Sequence, residues 1–368
     1  MPGGTGTMGI RVALVAPEGL PIPPVRGGSV QIYLEALVRE LEEAGVDVTL
    51  LSPGAGRDAC KRHIQIQASD RSAYRRACLA RLRSLAPEVI QVDNRPDLVP
   101  LVRRAVPNAR VVLNLHSTTY LGPRHIDRAR ARRVLRYADA VVLNSRFLRR
   151  EIARTFRLGP GTWRPYVIHP GVDARRFTPP ARRTRPSWPP FRLVYVGRVI
   201  RGKGVHILVE AVRQLHRANV PVQLTIIGRT PPWEAAYERA LRAAIRGLPV
   251  QWPGFVPPDK LPPRLWAAHA LVCPSQAPEA FGLVNVEAMA AGLPVIASKQ
   301  GGIQETLDAS CGILVRHYRD PASFSRAIRT LMADTSRWRA LSEGAQRRAQ
   351  EFTWSRCAAQ FAALYREL

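Results

Sequence analysis

The chain has 368 residues, 46% hydrophobic and 23% charged. That composition fits a globular protein of about two domains and excludes disordered, collagen-like and coiled-coil classes. Its unusual number is a formal net charge of +27, and only four of its 55 basic residues are lysines: Lys61, Lys203, Lys260 and Lys299. Such a field attracts nucleotides, anionic polymers, anionic membranes or nucleic acid, although solvated arginine faces alone would also account for it.

Residues 1–8, rich in Gly, Pro and Thr, read as a flexible N-terminus without the basic-then-apolar order of a secretory leader. No run of about 18 apolar residues follows, so no spanning helix is expected. Short apolar runs then alternate with helix-length amphipathic segments, the pattern of a parallel sheet covered on both faces. In the first half the runs are Ile10–Ala16, Val46–Leu51, Val89–Val92, Val111–Leu115 and Ala140–Asn144. Between the first two, residues 29–44 carry Ile32, Leu34, Leu37, Val38 and Leu41 as a helical stripe closed by Gly45. The basic segment 124–139 shows a thin stripe of Ile126, Ala129, Val134 and Tyr137, with arginines over the rest.

The proline-rich stretch around 181–190 reads as a linker between a first domain, 9–180, and a second, 191–352. In the second, runs at Leu193–Val196, Val222–Ile227, Leu271–Cys273, Val295–Ala297 and Gly312–Val315 alternate with helices, and a last helix occupies 353–368. The fold class expected is therefore α/β, with two doubly wound domains. Ligands in such folds bind at the carboxyl ends of the strands, at the switch points. The five cysteines form no paired spacing, which suits a reduced, cytoplasmic protein. No two of the eight histidines stand at a metal-ligand spacing, so no metal centre is expected.

Three segments carry chemistry. Gly27 and Gly28, between the first strand and a long helix, let backbone N–H groups approach a phosphate, or simply cap the helix. The stretch "VYVGRVIRGKG" ends a buried strand at Gly197 and places Arg198 and Lys203 in a loop before a helix, two cations suited to a diphosphate. In "PEAFGLVNVEAMAAGLPVIASKQGGIQE", Glu279 stands in a loop where it can accept hydrogen bonds from sugar hydroxyls, and Glu287 rides the following helix within reach of a ribose diol. The N–H groups of Phe281, Gly282 and Leu283 mark that helix's start, where an anion is stabilised. A helix-start carboxylate beside a solvated one is the plainer reading of the two acids.

These segments, with "LNLHS" and "VIHPGVDARRFTP", resemble retaining family 4 glycosyltransferases of the GT-B fold over nearly the whole chain, and the opening residues look most like the spore-coat type. The resemblance implies two Rossmann-like domains facing a cleft, with the C-terminal helix crossing back to the first. It implies that Glu279 contacts the donor sugar, Glu287 the ribose, and Arg198 and Lys203 the diphosphate. Gly28 would approach that diphosphate from the opposite domain, and His116 would lie near the sugar. Ser29, Val30 and Gln31 stand where many relatives carry a glutamate soon after the glycine pair. The implied activity is sugar transfer, with retention, from a nucleotide-diphosphate donor to an acceptor hydroxyl. Neither a metal nor another cofactor is called for, and the acceptor is left open, an anionic one being compatible with the charge. Contact with an anionic membrane surface and a membrane-peripheral or spore-coat location go with the basic segment. No nucleic-acid signature accompanies the charge, so no specific nucleic-acid partner is expected. A non-catalytic nucleotide-sugar-binding scaffold and a nucleotide-sugar epimerase are the alternatives on the same fold.

Overall fold

The computed structural model describes residues 9–24, 28–54, 56–181 and 187–368. They form two compact units: Met1–Gly171 together with Trp354–Leu368, and Val172–Thr353.

The first unit runs β1 (Arg11–Val15), α1 (Ser29–Glu43), β2 (Asp47–Pro53), β3 (His63–Ile66), α2 (Arg71–Leu85), β4 (Val89–Asp93), α3 (Val99–Ala105), β5 (Arg110–Leu115), α4 (Arg128–Tyr137), β6 (Ala140–Leu143), α5 (Arg146–Phe156) and β7 (Pro165–Val167). Its strands are all parallel, in the order β3-β2-β1-β4-β5-β6-β7. The switch point therefore falls between β1 and β4. The α1 stripe is buried at Leu34, Leu37, Val38 and Leu41 in one core with Val12, Leu14, Val48 and Leu50.

In the second unit the elements are α6 (Ala174–Phe177), β8 (Phe191–Val196), α7 (Val205–Arg217), β9 (Val222–Ile227), α8 (Ala235–Ala244), β10 (Val250–Gly254), α9 (Leu261–Trp266), β11 (Ala270–Cys273), α10 (Leu283–Ala290), β12 (Val295–Ser298), α11 (Ile303–Thr306), β13 (Gly312–Val315), α12 (Pro321–Met332) and α13 (Thr335–Ala349). The parallel order β10-β9-β8-β11-β12-β13 puts the switch point between β8 and β11. Alternation along β8 serves two cores: Phe191, Leu193 and Tyr195 join Leu208, Val212 and Phe324 on one face, and Val194 joins Val286, Met289 and Leu293 on the other.

The last helix, α14 (Trp354–Glu367), belongs to the first unit. Its Phe361, Ala362, Leu364 and Tyr365 are buried against the α1 core. The boundary between units differs from the linker reading. Residues 172–180 were expected at the end of the first domain, yet Val172 and Phe177 lie in the second unit's core with Phe281 and Ile303. Val172 N–H donates to Phe352 O at 2.8 Å. Trp188, placed in the linker by its proline neighbours, packs edge-on to Phe191, His269 and Trp338 at ring distances of 5.3, 5.0 and 5.5 Å. Linker residues 182–186 lie outside the described residues.

Three strands carry no apolar run in the sequence: β3, β7 and β10. Each is an edge strand, and none is buried along its length. An edge position needs no continuous apolar surface, so composition does not mark it. The basic helix is also re-phased. α4 buries Ala131, Val134 and Leu135, while Ala129 is exposed and Tyr137 keeps 57% of its surface open. Spacings of three and four residues from Ala131 give the true inward face.

If α14 is integral to the first unit, Phe361→Ala removes a fully buried ring and should lower that unit's stability by about 3–5 kcal/mol. Chemical denaturation followed by tryptophan fluorescence reads this directly.

Candidate functional site

The second unit's switch point gathers most of the residues singled out in the sequence. Gly197 and Arg198 follow β8, the 201–204 turn carries Lys203, and Ser275 and Glu279 follow β11. Because β8 and β11 are hydrogen-bonded neighbours, these loops leave the sheet side by side. They are then stitched together. The N–H groups of Gln276 and Ala277 both donate to Gly202 O, at 2.8 and 2.9 Å. A Cβ on Gly204, whose φ is +71°, would stand 1.9 Å from Pro274 O, so only glycine permits this approach.

The stitch brings Lys203 Nζ into an ion pair with Glu279 Oε1. Both side chains are largely buried, at 28% and 15% exposure. Ser275 Oγ donates to the same oxygen at 2.5 Å. Arg198 is exposed, and among the described residues no carboxylate pairs with it. Tyr195, a fully buried phenol, donates to Arg198 O at 2.7 Å and so fixes the backbone from which the guanidinium projects.

Two residues that sequence reasoning left without a role hold Glu279 from behind. Gly302 N–H donates to Glu279 O at 2.8 Å. A Cβ at Gly301 would lie 2.4 Å from Glu279 O, and one at Gly302 would lie 2.0 Å from Ala280 O. The glycine pair after β12 was visible as a signal, since paired glycines after a strand mark a close backbone approach. Ser275, four residues before Glu279, carried no such signal.

α10 begins after Gly282, whose φ of +90° suits glycine, and Leu283 is its first residue. The Phe281 ring, at 5.6 Å from Phe352, is core, so only its backbone is placed to serve a ligand. Asn285, fully buried in the first turn, has neither amide atom hydrogen-bonded among the described residues. Glu287, one turn into the helix, is half-buried. Burial pushes its carboxyl up to about 7, and the cation of Arg176 works against that rise. Gly28 and His116 are in the first unit. Gly28, with φ of +132°, precedes α1 beyond the carboxyl end of β1, and Gly27 lies outside the described residues. His116 follows β5 and lies 3.1 Å from Asp93 Oδ1.

A Ser-His-acid set in the first unit is not a nucleophile system. Ser52 Oγ lies 2.8 Å from His63 Nε2, and Asp58 lies 3.6 Å from Nδ1. Ala59 N–H, however, donates to Nδ1 at 3.2 Å. Nδ1 is thus the unprotonated nitrogen, Nε2 carries the proton, and Ser52, fully buried, has no base to activate it. Among the described residues no group of three or more His, Cys, Asp or Glu is placed to hold a metal. No helix among them is long and apolar enough to cross a membrane.

Residues 183–348 match the family described as glycosyl transferases group 1, and residues 26–176 match glycosyltransferase family 4. The chain belongs to the family 4 glycosyltransferases. The transferase is similar to spore coat protein SA of Bacillus subtilis, with 27% identity over 97% of this chain and 99% of that one. Among solved structures it resembles the sucrose-phosphate synthase of Thermosynechococcus elongatus, with a TM-score of 0.79, 25% identity, and coverage of 97% and 98% of the two chains. It also resembles Anabaena HepE in complex with UDP-glucose, with a TM-score of 0.76, 21% identity, and coverage of 97% and 99%. Two parallel Rossmann-like sheets of this kind are the GT-B fold.

Two outcomes test the transferase's local geometry. Gly302→Ala should destabilise the second unit by about 1–3 kcal/mol through overpacking against Ala280 O, read by chemical denaturation. Glu287 is an acid whose folded pKa of about 7 exceeds its ordinary 4.5. Its ionisation therefore lowers stability above pH 7, and this penalty fades as pH falls toward 4.5. Glu287→Gln should raise Tm at pH 8, by up to about 3 kcal/mol of stability, and leave it nearly unchanged at pH 4.5.

Proposed function

We propose that this glycosyltransferase moves a hexose-type sugar from a nucleotide-diphosphate donor to an acceptor hydroxyl, keeping the anomeric configuration. The observation that carries the reading is the Lys203–Glu279 pair beside exposed Arg198 at the switch point between β8 and β11. Lys203 spends only part of its donor capacity on Glu279, and Arg198 presents a free fork; together they neutralise a diphosphate. Oε2 of Glu279, without a hydrogen bond among the described residues, accepts from donor-sugar hydroxyls, and Glu287 takes the ribose diol. The backbone of Phe281, Gly282 and Leu283 at the start of α10 stabilises the anion between them. In the first unit, His116 and the Gly28 backbone are our candidates for contact with the donor sugar and diphosphate. Likeness to HepE, solved in complex with UDP-glucose, supports a nucleotide-sugar donor.

In the reaction the bond from the anomeric carbon to the diphosphate oxygen breaks, and the acceptor oxygen bonds to that carbon on the same face. The acceptor's proton passes to the departing diphosphate. Arg198 and Lys203 act where charge develops on the leaving group, which lowers the barrier rather than merely tightening binding. Their two fixed cations do there what a divalent metal does in other phosphate chemistry, so turnover is expected to survive EDTA.

The acceptor we favour is anionic, and the basic face of the first unit fits it. On α4, Arg128, Arg130, Arg132, Arg133 and Arg136 are all exposed. The same face suits peripheral contact with an anionic membrane surface from the cytoplasmic side. Likeness to spore coat protein SA supports a setting in cell-envelope or spore-coat glycan synthesis.

Lys203→Ala and Arg198→Ala should each lower kcat at least about a hundredfold, because each removes charge stabilisation that grows in the transition state, and exposed Arg198 can be replaced with little change in Tm. Nucleotide release from a nucleotide-sugar panel measures it, and wild-type turnover in both variants would refute the assignment.

A further inference from the structure

Behind His116 the first unit buries a chain of polar groups that the proposed chemistry does not use. Asp93, the last residue of β4, is fully buried and has three donors around it. Asn114 Nδ2 donates to Oδ1 at 2.7 Å and Gln91 Nε2 to Oδ2 at 2.9 Å. His116 Nε2 lies 3.1 Å from Oδ1. Gln91 is itself oriented from α14, where Tyr365 Oη donates to Gln91 Oε1 at 2.6 Å. Were that amide reversed, its oxygen would face a carboxylate oxygen, two acceptors with no proton between them. The Tyr33 ring closes the other side, edge-on to His116 at 4.5 Å.

An ionised carboxylate only accepts. The nitrogen of His116 that faces Asp93 must therefore carry the proton, and the other nitrogen is left as the acceptor. Asn114 Nδ2 lies 3.5 Å from His116 Nε2 and would favour the opposite tautomer, but its short bond goes to Asp93. Nδ1 makes no hydrogen bond among the described residues, and the side chain keeps 11% of its surface open.

We infer that Asp93 is a positioning residue which holds His116 as the Nε2–H tautomer, and that the Tyr365–Gln91 relay from α14 holds Asp93. Resting on the proposed placement of His116 near the donor sugar, this gives the site a hydroxyl-accepting Nδ1. It also makes the C-terminal helix part of the site's support. In Asp93→Asn the new amide can turn its NH₂ toward His116, move the proton to Nδ1 and remove the acceptor.

Long-range proton–nitrogen NMR of the full chain labelled at histidine reads the tautomer directly, with His116→Gln assigning the signal. The expected result is Nε2–H in the wild type near pH 7.5, and a shift toward Nδ1–H in Asp93→Asn. Kinetics should then show kcat for transfer falling about ten- to a hundredfold with donor KM changing less, since one hydrogen bond to the reacting sugar is lost. Tyr365→Phe, a gentler change, should give a partial version of both effects. Nδ1–H or a doubly protonated ring in the wild type overturns the inference, even if Asp93→Asn does not fold. An unchanged tautomer or unchanged kcat in a folded Asp93→Asn does the same. Absence of transfer by the wild type from any nucleotide sugar faults the functional reading instead, and the tautomer then decides this one.

Discussion

The candidate site in the second unit depends on one close approach: the 201–204 turn and the loop after β11 share backbone hydrogen bonds through Gly202 and touch at Gly204. Parallel neighbours β8 and β11 deliver the two loops to the same edge, but adjacency alone leaves side chains several ångströms of freedom. The absence of a Cβ at Gly204 removes that freedom, and Lys203 and Glu279 become an enclosed ion pair. Loss of either partner would leave the other enclosed without a counter-charge. Gly301 and Gly302 supply the matching restraint from the β12 side, so the loop carrying Glu279 is pinned from two directions.

Much of this was legible from residues alone. Central strands are flanked on both faces and must be apolar throughout, which is why β1, β4, β5, β8, β9, β11 and β12 stand out as runs. The edge strands β3, β7 and β10 meet solvent and need no such run, and they were silent. Phe177 and Trp188 were hidden by their surroundings: short, proline-rich and arginine-rich segments look like connectors even when one aromatic ring anchors them in a core. At the site, Arg198, Lys203, Glu279 and Glu287 could be chosen by residue type and spacing, because charge at a strand's carboxyl end is chemically conspicuous. Ser275 and Asp93 could not, since their roles come from long-range pairing that no local pattern encodes.

The large positive charge now has a location as well as a size. In the first unit the arginines of α4 and α5 are mostly outward, and the few acids there serve the fold. Asp127 caps α4, and Glu151 pairs with Arg154. At the second unit's switch point Lys203 already holds a carboxylate, while Arg198 and Arg201 are exposed. The diffuse field of the other arginines raises the local concentration of any anion.

On the function proposed here, the second unit's switch point receives the diphosphate of an activated sugar. Calorimetric titration of nucleoside diphosphates and nucleotide sugars into the wild type, Lys203→Ala and Glu279→Gln examines it most directly. Saturable binding of at least one nucleotide sugar is expected, weakened in both variants, with the parent diphosphate weakened chiefly by loss of Lys203. Binding of equal strength in all three proteins, or no binding of any nucleoside diphosphate, would contradict it.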